Sequence, residues 1–193
     1  MRVPNPNVRR GSRGSQACVS FRKKPARSDG TSATWEFTKP ELAQILENWD
    51  EEVSFAEHTV GTASPFVTAR ARKAPAAPIR EALKSNPAPE GQCKVLYHGV
   101  GKDRPGAEAI GRGGQCQVSS YDKYSPETEL QKKPTGQHNE VYSIYTLNVV
   151  PETEAKEIVQ ELHDRLKPGG KAIVSTRRDV CRGGLLPKTH GGR

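Results

Sequence analysis

The residues best suited to chemistry are a glycine turn, His98-Gly99-Val100-Gly101-Lys102-Asp103, and an aspartate, Asp122, that follows Gly101 by 21 residues. Glycine at 99 and 101 lets the backbone pass close beneath a ligand and tolerates positive φ. Backbone N–H groups beyond them, at the start of a helix through Ala107 to Ile110, are placed to face a carboxylate or phosphate. An acid at the end of the next strand commonly accepts hydrogen bonds from ribose hydroxyls. Taken singly, the G-x-G is an ordinary tight turn and Asp122 a residue that starts a turn. Taken together, they point to an adenosine-containing ligand. His98 is a candidate general base or a solvated turn residue, and His58, His138, His163 and His190 are scattered.

These residues need strands to hold them. Lys94 to Tyr97 is a short apolar run leading into the glycine turn, Val118 to Tyr121 leads into Asp122 and Tyr124, and Val141 to Tyr145 leads into Thr146-Leu147-Asn148. Pro151 opens a helix with Ala155, Ile158, Val159, Leu162 and Leu166 on one face, flanked by the i,i+4 pair Glu161 and Arg165. Pro168-Gly169-Gly170 ends it before a fourth strand, Lys171 to Thr176. Alternating strands and helices imply an α/β fold with a mainly parallel sheet, expected over residues 93–179, in which ligands bind beyond the carboxyl ends of the strands. The stretch from Asp122 to Val141 is too short for a full helix and another strand.

Upstream, Thr38-Lys39-Pro40-Glu41 reads as a capping box, with Leu42, Ile45, Leu46, Trp49 and Val53 following at helical spacing. Residues 61–73 carry no clear pattern. Pro78 starts a second helix, and Ser85 to Gly91 breaks the chain before the first strand of the sheet. The expected organisation is a disordered basic tail over 1–33, a helical extension over 34–90, a Rossmann-like domain over 91–180, and a basic glycine-rich tail over 181–193.

Only 33% of the 193 residues are apolar, and the net charge is +8. Residues 1–30 hold eight Lys or Arg and a single acid, Asp29, so most of the excess charge falls there. Such a composition cannot offset the entropy of ordering, and it fits either a solvated tail or an arm for nucleic acid. Four cysteines, Cys18, Cys93, Cys116 and Cys181, form no C-x-x-C pair, which gives no support to a zinc cage. Two of them flank expected strands as buried thiols, suggesting a reduced, cytoplasmic protein. No apolar run approaches the ~20 residues of a membrane span.

The segments VLYHGVGKD at 95–103, YDKYSP at 121–126, EVYSIYTLNVVP at 140–151 and LKPGGKAIVSTRRD at 166–179 resemble the class I S-adenosylmethionine-dependent methyltransferases. A narrower likeness, through Arg72-Lys73-Ala74-Pro75-Ala76-Ala77-Pro78, is to phage and bacterial methyltransferases of uncertain substrate. The resemblance covers about 85 residues and implies a reduced class I domain using S-adenosylmethionine, with no metal. It places Gly99 and Gly101 under the methionine part of the cofactor, Asp122 at the ribose and Tyr124 over the adenine. Tyr145 and Asn148 would face the transferred methyl group and the acceptor, which is unspecified and could be a nucleic acid. The chain departs from the family in three ways. Tyr97 stands where an acid ends the first strand, Asp103 replaces the third glycine, and only one proline, Pro151, follows Asn148. Asp103 is therefore expected to repel the cofactor's carboxylate unless Lys102 or Arg104 compensates. The other reading is a non-catalytic Rossmann-like module that binds nucleic acid or protein. A nicotinamide enzyme is disfavoured because Arg104 stands where that family wants glycine.

Overall fold

A computed structural model describes residues 14–59, 61 and 63–181. Its centre is a six-stranded sheet. In chain order the strands are β1 (Gln16–Phe21), β2 (Arg27–Ser28), β3 (Ser32–Thr38), β4 (Val53–Thr59), β5 (Cys93–His98), β6 (Cys116–Tyr121), β7 (His138–Ile144) and β8 (Leu166–Arg177). The helices are α1 (Lys39–Glu47), α2 (Trp49–Glu52), α3 (Ala77–Ser85), α4 (Arg104–Ile110) and α5 (Glu152–Arg165). The sheet order is β2-β3-β8-β7-β5-β6, with β8, β7, β5 and β6 mutually parallel and β2 and β3 antiparallel. β1 pairs with β4 in a separate antiparallel ribbon. The mainly parallel α/β sheet and all four expected strands are present. Residues 122–137 hold no strand among the described residues.

Side-chain alternation divides the sheet into two buried faces. Leu96, Val141, Ala172 and Val174 pack with α1, α5 and the β1–β4 ribbon, including Leu42, Ile45, Ile158 and Leu162. Val95, Tyr97, Tyr142, Ile144 and Ile173 pack on the other side with Ile79, Ala82 and Ile110 of α3 and α4. The helix signals hold locally. Thr38 caps α1 with a reciprocal bond to Glu41, although the helix stops at Asn48, and Val53 begins a strand instead of extending it. The Pro-Gly-Gly turn does not precede β8 but lies within it. Register jumps from His138↔Leu166 to Glu140↔Lys171, and Gly169 absorbs the bulge at φ 77°.

The upstream half departs most from expectation. Residues 14–33, expected to be disordered, supply β1, β2 and the start of β3. Ala17, Cys18 and Val19 are buried despite the basic residues that follow them. β3 then lies antiparallel along β8 from Ser32↔Arg177 to Thr38↔Lys171, so the sheet crosses the boundaries expected at residues 33 and 90. Trp35 and Phe37 explain why: on alternate positions both face the core, and Phe21 meets each ring edge-on at 5.0 Å. Residues 1–13 and 182–193, where the rest of the expected tails fall, lie outside the described residues.

The cysteines also depart from expectation. Cys18 bonds Cys181 across 163 residues, and Cys93 bonds Cys116 across 23, at the first paired position of β5 and β6. Spacing alone could not reveal partners that only the folded topology brings together. This pairing removes the argument from buried thiols to a reducing compartment. No helix among the described residues is long and apolar enough to cross a membrane. Replacing Cys18 and Cys181 together with alanine is expected to lower the unfolding free energy by roughly 2–5 kcal/mol, and replacing Cys93 and Cys116 by less, because the second bond closes the shorter loop. Chemical denaturation of the two double variants checks the order. A titration finding four reactive thiols in the unfolded, unreduced chain would remove the premise.

Candidate functional site

The parallel strands β5, β6 and β7 end together, and a cleft of about 570 Å³ opens above them. Its floor is the glycine turn. One wall is the N-terminal two-thirds of α5, and the opposite wall comes from the segment Pro65–Arg72 together with Tyr145 and Arg177. β5 lies between β6 and β7, so the chain passes from one side of β5 to the other here. This is the position where open parallel sheets bind ligands.

The turn is held by hydrogen bonds to the end of β6. Gly99 and Val100 donate to the Tyr121 carbonyl at 2.7 and 3.2 Å, and Gly101 donates to Asp122 Oδ2 at 2.7 Å. Gly99 and Gly101 adopt φ 72° and 55°. A Cβ at Gly99 would collide with the Thr146 side chain, and one at Gly101 would press on Ala69 at 3.2 Å. Both glycines are therefore required by close approach as well as by φ. The N–H groups of Gly99, Val100 and Gly101 are thus satisfied within the protein, and of the helix-start groups expected to face a ligand, Gly106 N–H is taken by Asp103 Oδ1 at 3.0 Å and Ala107 N–H by the Asp103 carbonyl at 3.1 Å.

Asp122 is buried and lines the cleft. Besides Gly101 N–H, it accepts the Tyr124 N–H on Oδ1 at 2.9 Å. It therefore starts a turn and also lines the cleft, with one further acceptor position on each oxygen. Tyr124 lies beside it, its hydroxyl donating to Glu154 at 2.5 Å. Burial, reinforced by Glu154, pushes the Tyr124 phenol above its ordinary range.

Asp103 lines the cleft but is only 5% exposed, and its carboxylate is engaged within the protein. It is the N-cap of α4, accepting from Gly106 N–H at 3.0 Å, and it accepts the Tyr97 hydroxyl at 2.8 Å. Burial, and then the neighbouring Asp103, raise the Tyr97 pKa, which fixes the phenol as a donor. Tyr97 and Asp103, two of the three departures from the resemblance noted in the sequence, are thus one buried hydrogen-bonded unit.

Tyr145 lies at the cleft with a left-handed backbone, φ 61°, held by its N–H donating to Ser175 O at 2.8 Å. For a bulky residue that conformation is strained. Asn148 is not at the cleft. It is 1% exposed, and its amide donates to Ala17 O at 2.9 Å and Arg177 O at 3.3 Å while accepting Arg177 N–H at 2.8 Å. Every polar atom of that side chain serves to join β1 to β8, so the expected contact with an acceptor is not made.

Several cleft residues carried no clear sequence signal. Glu154, Glu157 and Glu161 line the α5 wall. Their spacing of three and four residues beside the apolar stripe was the available clue. Glu161 accepts from buried His98 Nε2 at 2.5 Å and pairs with Lys133 at 3.1 Å. The His98 hydrogen bond, despite burial, lowers the Glu161 pKa from 4.5 to about 2. Arg70 and Phe66 come from the stretch that showed no pattern, and Arg72, which opens the segment of the narrower resemblance, was given no role at the cleft. Comparison of the chain with protein-family models, curated proteins and solved structures gives no match.

Two stability measurements test this geometry. Asp103→Gly removes the acceptor of a buried phenol and is expected to cost about 1–3 kcal/mol. A neutral or stabilising effect in denaturant unfolding would contradict the Tyr97–Asp103 pairing. Glu161 has a depressed folded-state pKa, so its contribution is full above pH 4.5 and is lost as pH falls toward 2. With its side chain 32% exposed, solvent screening reduces the effect, and Glu161→Gln is expected to cost about 1–2 kcal/mol at neutral pH. The gap from wild type should narrow below pH 4.5. A gap independent of pH would show that the carboxylate charge is not what matters.

Proposed function

We propose that the chain is an S-adenosylmethionine-dependent methyltransferase whose cofactor occupies the cleft above β5 and β6. The observation that carries the proposal is the position of the Asp122 carboxylate, at the end of β6, on the cleft edge and bonded to the glycine turn of β5. Its unused acceptor positions suit the two hydroxyls of a ribose. Support also comes from the strand order, which brings the ends of β5 and β7 together, and from the cleft volume, which falls in the ~300–1,000 Å³ range of small-ligand sites.

In this reading the bound cofactor supplies an activated methyl group, and the protein contributes mainly position. Gly99 and Gly101 give the backbone its close approach, Asp122 orients the sugar, and Tyr124 borders the base. Tyr145, at the end of β7, faces the acceptor side. Asn148 is no longer assigned a role in the reaction, and Asp103 is assigned to holding the turn.

A second reading, a Rossmann-like binding module without turnover, is favoured by one observation: the N–H groups of the turn are already satisfied and Ala69 packs over Gly101. Calorimetry with S-adenosylhomocysteine separates the two. The methyltransferase reading expects saturable binding, weakened about 1.5–3 kcal/mol by Asp122→Ala, the range for a hydrogen bond to a charged group. Absence of binding by the folded wild-type chain would falsify it. Tight binding that Asp122→Ala leaves unchanged would remove Asp122 from the ribose position.

A further inference from the structure

The cleft is electrically divided. On the α5 side Glu154 pairs with Lys123 at 3.5 Å and Glu161 with Lys133 at 3.1 Å, beside Glu157, whereas the other side carries Arg70, Arg72, Lys102 and Arg177. On the basic side Arg177 is paired, with Asp179, but Arg70, Arg72 and Lys102 form no salt bridge among the described residues. All three are exposed.

The basic wall is also aromatic. Arg72 lies over the Tyr145 ring at 5.9 Å, and Lys102 lies over the Phe66 ring at 5.1 Å. Val67, next to Phe66, is 66% exposed. Tyr145 is held at the cleft in a strained conformation that an ordinary core packing role does not require. Cations interleaved with ring faces are the arrangement that binds single-stranded nucleic acid, since phosphates take the cations and bases stack on the rings.

We infer that the basic wall receives single-stranded nucleic acid, with a base stacked on Tyr145 and the flanking phosphates held by Arg70, Arg72 and Lys102. This rests on the methyltransferase reading of the same cleft and names the class of its acceptor. A base paired within a duplex does not reach the floor of a concave site, so an unpaired strand is the form that fits. On the α5 side Lys123 and Lys133 are already engaged by Glu154 and Glu161, which leaves the unpaired cations, and so the phosphates, on one lip.

The test is fluorescence anisotropy of the full chain with labelled single-stranded DNA and RNA oligonucleotides, the corresponding duplex, and adenosine monophosphate as competitor, over a salt series. Wild type is expected to bind the single strand more tightly than the duplex and far more tightly than the mononucleotide. The Arg70→Ala/Arg72→Ala double variant, whose changes lie on the surface, should reduce the slope of log affinity against log salt by about 1.4, from ~0.7 per phosphate contact on single strands. Tyr145→Ala should weaken binding roughly 5- to 150-fold, in line with the loss of one base stack, and Tyr145→Phe should restore it. Arg9→Ala/Arg10→Ala controls for binding through the terminal region. The inference is overturned if that pair abolishes binding while the Arg70/Arg72 and Tyr145 variants behave as wild type. It is also overturned if duplex or mononucleotide binds as tightly as the strand. S-adenosylhomocysteine calorimetry is read separately: strand binding at the cleft without cofactor binding refutes the methyltransferase reading alone, and the converse refutes the strand site alone.

Discussion

Where β5 leaves the sheet, three consecutive N–H groups, those of Gly99, Val100 and Gly101, need acceptors in a buried setting. They find them at the end of β6, two on the Tyr121 carbonyl and one on the Asp122 carboxylate. That requirement sets the direction of the turn and brings Gly99 against Thr146 at the end of β7. The three strand ends are thereby drawn around one opening. Asp122 is the hinge of this arrangement, since its other oxygen orders the following turn through Tyr124 N–H. A residue serving structure in this way is still available to a ligand, because a carboxylate has more acceptor sites than two N–H groups occupy.

The cleft above this junction inherits its polarity from the two elements that wall it. α5 presents an acidic edge because its apolar stripe is committed to the sheet, which leaves the adjoining face to glutamates. The opposite wall is an irregular segment, Pro65–Arg72, with little core contact and mostly exposed residues. Arg72 and Lys102 lie over aromatic rings there, while Glu161 is tied to His98 and Lys133. The two walls therefore offer different chemistry to the two ends of any ligand that spans them.

The strands upstream of residue 39 complete a sheet that the parallel core alone leaves open. β3 covers the edge of β8, and an uncovered strand edge of that length would invite pairing with another chain. β1 is joined to β8 by the Asn148 amide and by the Thr176 hydroxyl donating to Val19 O at 2.9 Å, and to the segment after β8 by the Cys18–Cys181 bond. Asn148 thus belongs to the fold, and its buried, fully bonded amide explains its place at the strand end.

Local patterns in the sequence determined the parallel core. Runs at 94–97, 117–121, 140–145 and 171–176, the capping box at Thr38, and the turn residues at 99–103 each carry their own periodicity or backbone preference, and each appears in the structure. The positions of Gly99, Gly101, Asp122, Tyr124 and Tyr145 at or beside one cleft follow from that core. Four features were decided by tertiary contact instead: the antiparallel seating of β3 on β8, the cysteine pairing, the Tyr97–Asp103 unit, and the diversion of Asn148 into the β1–β8 junction. Three of them join residues far apart in sequence, whose partners are set by the topology of the whole sheet, and the Tyr97–Asp103 bond, six residues apart, depends on how the turn between them folds back. A basic composition hid the apolar triplet Ala17-Cys18-Val19, because charge averaged over a window says nothing of which side chains alternate inward once a neighbouring strand is present.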